Sequence, residues 1–184
     1  MSSSKILGDI ISSAIAAKTH YEVWWAQASE AKPKQVEIMS AHSDFFHASC
    51  DAHYTSFFVN LAHLFDKRSD SSSIPTYFAA IRSKTDAVTM AMLESDFAIL
   101  DARAQSVVIA RHKTVAHVDA RLTEDDVFKP LNITWNEVRD IIYDSAEFVA
   151  RLASAPSGSI GIPRDRRLIE STLKLIHALG RMDA

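Results

Sequence analysis

One segment of the sequence concentrates side chains that can bind anions and transfer protons. Residues 110–121 read ARHKTVAHVDAR, with two histidines, two arginines and a lysine among small apolar residues. His117 titrates near neutral pH and can serve as an acid or a base. Arg111 keeps its charge and offers a planar fork of donors that suits phosphate oxygens. The same cations also suit an ordinary helix end, because the helix dipole favours positive charge there.

The spacing of Arg111 and His117 does not decide between these two interpretations. With 11 arginines and 8 histidines in 184 residues, about 1.4 arginine–histidine pairs four to six residues apart are expected by chance. Six residues also turn a straight helix by about 240°, so the two positions do not share one helix face. The surrounding elements therefore carry more weight than the spacing.

Length and composition indicate a single helical domain over residues 1–184. The apolar fraction is 47%, and only four glycines and five prolines interrupt the chain, which favours long helices. No apolar run approaches the ~20 residues of a membrane span, and no signal-peptide cleavage site is evident, so we expect a cytoplasmic protein without a membrane partner. The net charge of -3 requires a local basic patch for any contact with nucleic acid. The single cysteine, Cys50, excludes an intramolecular disulfide.

Apolar residues at steps of three and four predict long helices in the first half of the chain. The first runs from about Ser4 to Ala31 and the second from about Lys34 to Asp66. A short helix follows over residues 74–82, with Ser73 as its cap and Pro75 in its first turn. The expected core positions of the first helix are Ile6, Ile10, Ile11, Ile15, Tyr21, Trp24 and Trp25. Those of the second are Phe46, Cys50, Tyr54, Phe57, Leu61, Leu64 and Phe65.

The spacing of apolar residues also predicts helices in the second half of the chain. A fourth helix runs from about Asp86 to His117, and the residues expected on its buried face are Val88, Met92, Ile99, Ala104, Val107, Val108 and Val115. Thr134 and Glu137 form a capping box that opens a fifth helix, and a last helix covers about residues 164–181. No strand pattern occurs. We therefore predict an all-α bundle with its long second and fourth helices antiparallel, and with residues 110–121 at the end of the fourth.

The order of motifs resembles a known superfamily. The phrase IARHKTVAHVD is preceded some fifty residues earlier by LAHLFDKR, which closes a long helix. This arrangement is similar to the HEPN superfamily, in its branch associated with abortive infection of bacteria by phage. The sharpest points of the resemblance are LFD, at residues 64–66, and RHKTVAH, at residues 111–117. His112 fits the polar residue that commonly follows the arginine of the superfamily.

The resemblance implies an all-helical homodimer in which the arginine–histidine motifs of two subunits face each other across a cleft. Many such proteins are metal-independent ribonucleases that act as toxins or antiviral effectors, so RNA and an antitoxin protein are candidate partners. Metal-free cleavage of RNA needs a base, an acid and a cation for the phosphorane. Arg111 and His117 are the expected catalytic residues, and a second copy would provide the second histidine. No cofactor is expected.

Other residues near the motif have supporting roles in this interpretation. Asp119 could orient His117 or Arg111, and Asp66 could pair with a cation of the motif. Helix capping or a surface ion pair explains both acids equally well. Lys113 suits a solvated helix position better than a phosphate site.

Two alternatives remain open from the sequence. Some members of the superfamily have lost activity and serve as binding modules. A metal-dependent bundle enzyme is the third interpretation, because six further histidines occur: His20, His42, His47, His53, His63 and His177. However, the paired Glu-x-x-His motifs of di-iron bundles and the usual zinc motifs are missing, so we expect no metal site. The basic run PRDRR, at residues 163–167, suits a solvated surface or a contact with RNA phosphates.

Overall fold

The computed structural model of the chain describes residues 2–111, 129–157 and 165–181. In these ranges every long regular element is an α-helix and no strand occurs. The helices are α1 (Ser3–Trp25), α2 (Pro33–Ala41), α3 (Ser43–Leu64), α4 (Ile74–Ile81), α5 (Ala87–Arg111), α6 (Trp135–Ser157) and α7 (Arg167–Leu179). A π-helical segment, Ala26–Glu30, continues α1. The predicted all-α class is confirmed.

The core forms around α1, which packs chiefly against α3 and α6. Tyr21 and Trp24 of α1 are buried, as is Phe57 of α3, and their rings touch at centroid distances of 5.4 to 5.9 Å. Trp135, at the start of α6, completes this cluster at 4.6 Å from Trp24. Burying each of these large rings contributes about 2–3 kcal/mol. The aromatic cluster therefore fixes three helices to one another.

The long helices α3 and α5 are antiparallel, as predicted. Phe65, directly after α3, stacks on Phe97 in the middle of α5, with ring centroids 5.8 Å apart. Val59, nearly two turns earlier on α3, lines the same cleft as Val108, three turns later on α5. The two helices therefore run in opposite directions, which brings the end of α3 beside the second half of α5.

The prediction of one continuous second helix is wrong. His42 leaves the helical conformation, with φ -118 and ψ 40, and separates α2 from α3. The break allows α2 to turn toward α7, where Ile38, Phe46 and Ile176 form a small buried cluster of their own. Packing on both sides of the break outweighs the continuous periodicity of the sequence.

Part of the predicted buried face of α5 is wrong. Val88, Met92 and Ile99 are 78%, 62% and 65% exposed. The positions that do pack inward are Met90, Phe97, Leu100, Ala104 and Val107. The helix carries apolar residues on two faces, and periodicity alone does not say which face meets the neighbours. The same error applies to Ile15 of α1, which is 45% exposed, whereas the predicted Val115 lies outside the described residues.

The helix ends agree with the sequence at several points. The capping box of α6 is confirmed, since Glu137 N–H donates to the Thr134 hydroxyl at 3.2 Å and Thr134 N–H to the Glu137 carboxylate at 2.7 Å. The last helix begins at Arg167, later than predicted. Arg166 stays outside it, with φ -100 and ψ 17, and its guanidinium donates to Glu30.

No described helix combines the length and the apolarity that crossing a bilayer requires.

Candidate functional site at the ends of α3 and α5

The LFD segment and the helix that leads into the RHKTVAH segment line the same cleft. It has a volume of about 640 Å³ and lies between the end of α3, the loop that follows it and the second half of α5. Asp66 lines it from the LFD segment, and Val108 lines it from α5. Val108 precedes Arg111 by less than one helical turn. The antiparallel packing of α3 and α5 therefore brings the last turns of α5 beside the LFD segment, although 45 residues separate Asp66 from Arg111.

Asp66 is held by a cation of its own loop. Its carboxylate accepts a hydrogen bond of 3.0 Å from the backbone N–H of Arg68 and bonds of 2.8 to 3.2 Å from the Arg68 guanidinium. These bonds, opposed only in part by burial, lower the pKa of Asp66 to about 2. The cleft thus holds a carboxylate that is ionised at any physiological pH, already paired within the turn that closes α3.

Further polar groups of the cleft were not identified from the sequence. Lys67 spans from the loop to α5, with Nζ 3.0 Å from the Asp101 carboxylate. His63 lies one turn before Asp66, and its Nδ1 is 3.0 Å from the Ser13 hydroxyl of α1. Because these groups and their partners come from four elements, no local spacing marks them. The KR pair directly after LFD is the one signal that could have indicated Lys67 and Arg68.

The register of α5 places position 111 on the inward side of the helix. It follows the buried residues Ala104 and Val107 at steps of three and four, which is the spacing of one helix face. The helix carries this position to the end of the bundle beside the cleft. The side chain of Arg111, and the whole of His112, Lys113, His117 and Asp119, lie outside the described residues. Their roles remain predictions.

The histidines of the described residues do not assemble a metal centre there. His20 of α1 and His53 of α3 are in contact, with their Nδ1 atoms 2.7 Å apart. One of the two rings must donate to the other, so at least one tautomer is fixed by this contact. Within residues 2–111, 129–157 and 165–181 no third histidine, cysteine or carboxylate joins them to make a group that could hold a metal ion.

Comparison with known proteins identifies the family. A family model named AbiU2, of the HEPN proteins, matches residues 6–179. No curated protein and no solved structure matches the chain significantly. The family match includes both the LFD segment and RHKTVAH, and it spans all seven described helices apart from the first residues of α1. The chain therefore belongs to the AbiU2 family of HEPN proteins.

Proposed function

We propose that this chain is a metal-independent endoribonuclease that acts as a toxin or phage-defence effector, with an active site completed by a second copy. The family match ties the chain to abortive infection. The observation that supports the enzymatic part is a cleft of about 640 Å³ that is lined by Asp66 of LFD and by Val108, which lies three residues before Arg111.

The residue types suit cleavage by the RNA's own 2′-hydroxyl. That hydroxyl attacks the adjacent phosphorus, the bond to the leaving 5′-oxygen breaks, and a cyclic phosphate results. His117 takes the proton of the hydroxyl, and a second histidine gives a proton to the leaving oxygen. Arg111 binds the phosphorane oxygens, where negative charge develops. His112, Lys113 and Asp119 support this arrangement.

The described cations of the cleft extend the same proposal. The side chains of Lys67 and Arg68 are 66% and 74% exposed and stand at the rim of the cleft. Exposed cations of this kind bind backbone phosphates and position the strand without reading its sequence. Asp66 fixes Arg68, so that its guanidinium is held in place before RNA arrives.

A largely exposed, uncharged stripe of mostly apolar residues on α5 supports the dimer. Its members follow alternating steps of four and three residues, and they are Val88, Met92, Ser95, Ile99, Ala102, Ser106 and Ile109. All but Ser106 are exposed. A strict repeat of this kind is the seam of two helices that pack along each other. We therefore propose that this stripe, called here the α5 seam, is covered by the α5 seam of a second copy.

A second copy is the occupant that fits the seam. A symmetric contact places identical residues near one another, and the seam has no charged position, so two copies meet without like-charge repulsion. Ile109, at its end, is two residues before Arg111. Two α5 helices that pack in parallel along the seam bring their carboxyl-terminal ends together. One histidine from each copy then provides the base and the acid.

Cleavage of a mixed RNA pool in the presence of chelator tests the enzymatic proposal. Wild type should cut, and His117→Ala and Arg111→Ala should each lower the rate by about 10²–10⁴-fold. His112→Asn should be tolerated, because a polar side chain is retained. His47→Ala, at an exposed position of α3, is the matched control and should cut like wild type.

Each alternative has its own signature in the same assay. A folded, dimeric and antitoxin-free wild type that leaves the pool intact would support a non-catalytic binding module. Activity that disappears with chelator and returns with a transition metal would support a metal-dependent enzyme. A His117→Ala variant that cuts as fast as wild type would reduce residues 110–121 to an ordinary helix end.

A further inference from the structure

A second cavity, separate from the cleft of Asp66, opens between α1, α5, α6 and the start of α7. Its volume is about 490 Å³, within the range of about 300–1,000 Å³ that small-ligand sites occupy. The half-buried ring of Trp25 lies in its wall and is backed by the buried ring of Tyr21, with centroids 5.8 Å apart and planes inclined by 17°. Tyr143 adds a third ring. The cavity therefore offers flat aromatic surface to a planar ligand.

The rim of this cavity consists of ion pairs. Three arginines each contact a carboxylate that also lines the cavity: Arg103 with Asp144 at 2.7 Å, Arg139 with Asp140 at 2.9 Å and Arg166 with Glu30 at 2.6 Å. The three positive and three negative charges cancel. Because a guanidinium has five donors and a carboxylate several lone pairs, a paired arginine and its carboxylate can each bond further to a neutral ring that has both acceptors and donors. The rim therefore favours a neutral planar ligand over an anion.

The π-helical segment that ends α1 places Glu30 at the rim. Its carboxylate oxygen Oε1 accepts a bond of 3.0 Å from the indole of Trp25 as well as the bond from Arg166. Both donors hold the carboxylate in one orientation before a ligand binds. Wide turns of this kind are rare and are frequent at functional sites. This local departure from α-helix is a second indication that the cavity is a built site.

We propose that this cavity, called here the base pocket, binds one unstacked guanine of the RNA substrate, an inference that rests on the proposed ribonuclease function. Guanine presents two adjacent donors, N1–H and the 2-amino group, to a carboxylate. On another edge it presents O6 and N7, which an arginine fork matches. Uracil has no amino group and only one N–H on its edge. Single-stranded RNA is commonly read in this way, by stacking on aromatic rings together with hydrogen bonds to base edges.

The base pocket lies within reach of the proposed cleavage site along one strand. Arg103, at its rim, precedes Arg111 by eight residues on α5, which is about 12 Å along the helix axis. The two positions are turned by about 80° around that axis. Neighbouring nucleotides of one strand span such a distance. A guanine held in the pocket would therefore set which phosphate reaches Arg111.

Binding of cleavage-resistant RNA tests the proposal. The probes are 2′-O-methylated, fluorescein-labelled UUGUU and UUUUU, measured by fluorescence anisotropy, because methylation blocks the attacking hydroxyl. Wild type should bind UUGUU about tenfold more tightly than UUUUU, since a well-matched base contributes that much or more. Arg139→Ala should remove the preference for guanine.

Arg151→Ala is the matched control for Arg139→Ala. Arg151 is also on α6, also pairs with an aspartate, Asp96, at 2.8 Å, and is 53% exposed compared with 40% for Arg139. It does not line the base pocket. The control should keep the preference of wild type. If circular dichroism shows that Arg139→Ala does not fold, Arg166→Ala replaces it, because the side chain of Arg166 is 57% exposed. Arg166→Ala should also remove the preference for guanine.

The outcomes separate the base pocket from the ribonuclease. Equal affinity of wild type for the two oligonucleotides, or an unchanged preference in the pocket variants, overturns the pocket even if unmodified RNA is cut. A guanine preference that depends on Arg139 in a protein that cuts no RNA supports the pocket and overturns the ribonuclease proposal.

Discussion

Tyr143 of α6 donates a hydrogen bond of 2.6 Å to Glu22 of α1, whose side chain is 1% exposed. The same carboxylate oxygen, Oε1, lies 2.8 Å from Nζ of Lys18. Burial, and next the bond to the carboxylate, raise the pKa of Tyr143, so its hydroxyl remains a donor at any physiological pH. A buried carboxylate is thus satisfied from two helices, and this ties α1 to α6 behind the base pocket.

Removal of this hydroxyl should destabilise the fold. Tyr143→Phe leaves Glu22 buried with one partner fewer, and a hydrogen bond to a charged group contributes about 1.5–3 kcal/mol. We expect the free energy of unfolding, measured by urea denaturation, to fall by about that amount. Tyr77→Phe is the control, because Tyr77 is also buried but makes no bond to a carboxylate within the described residues. Equal losses for the two variants would contradict a special role for the Tyr143–Glu22 bond.

The His20–His53 contact should make stability depend on pH. Burial lowers the pKa of His20, and burial followed by the charge of His20 lowers the pKa of His53. As the pH is lowered through the unfolded pKa of about 6.5, the unfolded chain therefore binds more protons than the folded chain. The free energy of unfolding decreases as the pH is lowered through this range. We expect the free energy of unfolding to decrease between pH 7 and pH 5.

A double variant isolates this contribution. His20→Gln combined with His53→Gln should flatten the decrease, whereas His47→Gln, at an exposed position of α3, should leave it unchanged. Chemical denaturation at a series of pH values measures all three proteins. A double variant that keeps the full slope would assign the decrease to other groups.

The Asp66 carboxylate should make the free energy of unfolding depend on pH in a more acidic range. Its folded pKa is about 2, below the unfolded value of about 3.9, so its contribution is fully present above that value and is lost as pH falls toward 2. Since Arg68 is 74% exposed, we expect a contribution of about 1 kcal/mol or less. Asp66→Asn should remove the part of the acid dependence between pH 4 and pH 2, as seen by chemical denaturation. Asp70→Asn, at an exposed position of the same loop, should not.

The sequence was sufficient for the helical class, the family and most of the core. Steps of three and four identify Phe57, Leu61 and Leu64 as buried because these spacings place the three residues on one face of α3. The capping box of Thr134 and Glu137 was also recognisable, since it depends only on residues three apart. Features fixed by neighbours in sequence could therefore be predicted.

Features that depend on tertiary packing could not be predicted from the sequence. The break at His42 follows from the docking of α2 on α7, and the exposure of Ile99 follows from which face of α5 the other helices cover. Of the polar groups that line the cleft, only Asp66 was named from the sequence, because Lys67 and His63 acquire their surroundings from helices far away in the chain. The base pocket had one local signal, Arg166 of the basic run at residues 163–167, and the rest of its rim could not be predicted because it is assembled from several elements.

The α5 seam provides the last prediction. Ile99→Glu would place a carboxylate opposite its own copy in a contact without water, where an unpaired charge is strongly unfavourable. We expect a monomer by analytical ultracentrifugation at concentrations where wild type is a dimer. Leu175→Glu is the matched control, because Leu175 of α7 is 63% exposed, close to the 65% of Ile99, and lies away from the seam. It should remain dimeric.

Cleavage by the same two variants decides whether the dimer serves catalysis. If base and acid come from different copies, monomeric Ile99→Glu should lose cleavage together with its partner, and Leu175→Glu should keep it. Ile109→Cys in a Cys50→Ser background, where it is the only thiol, should form a disulfide-linked dimer under mild oxidation, and Leu175→Cys in that background should not, because Leu175 lies away from the seam. A dimeric Ile99→Glu would show that another surface joins the copies. A monomeric variant that cuts at the full rate would show that one chain holds a complete active site.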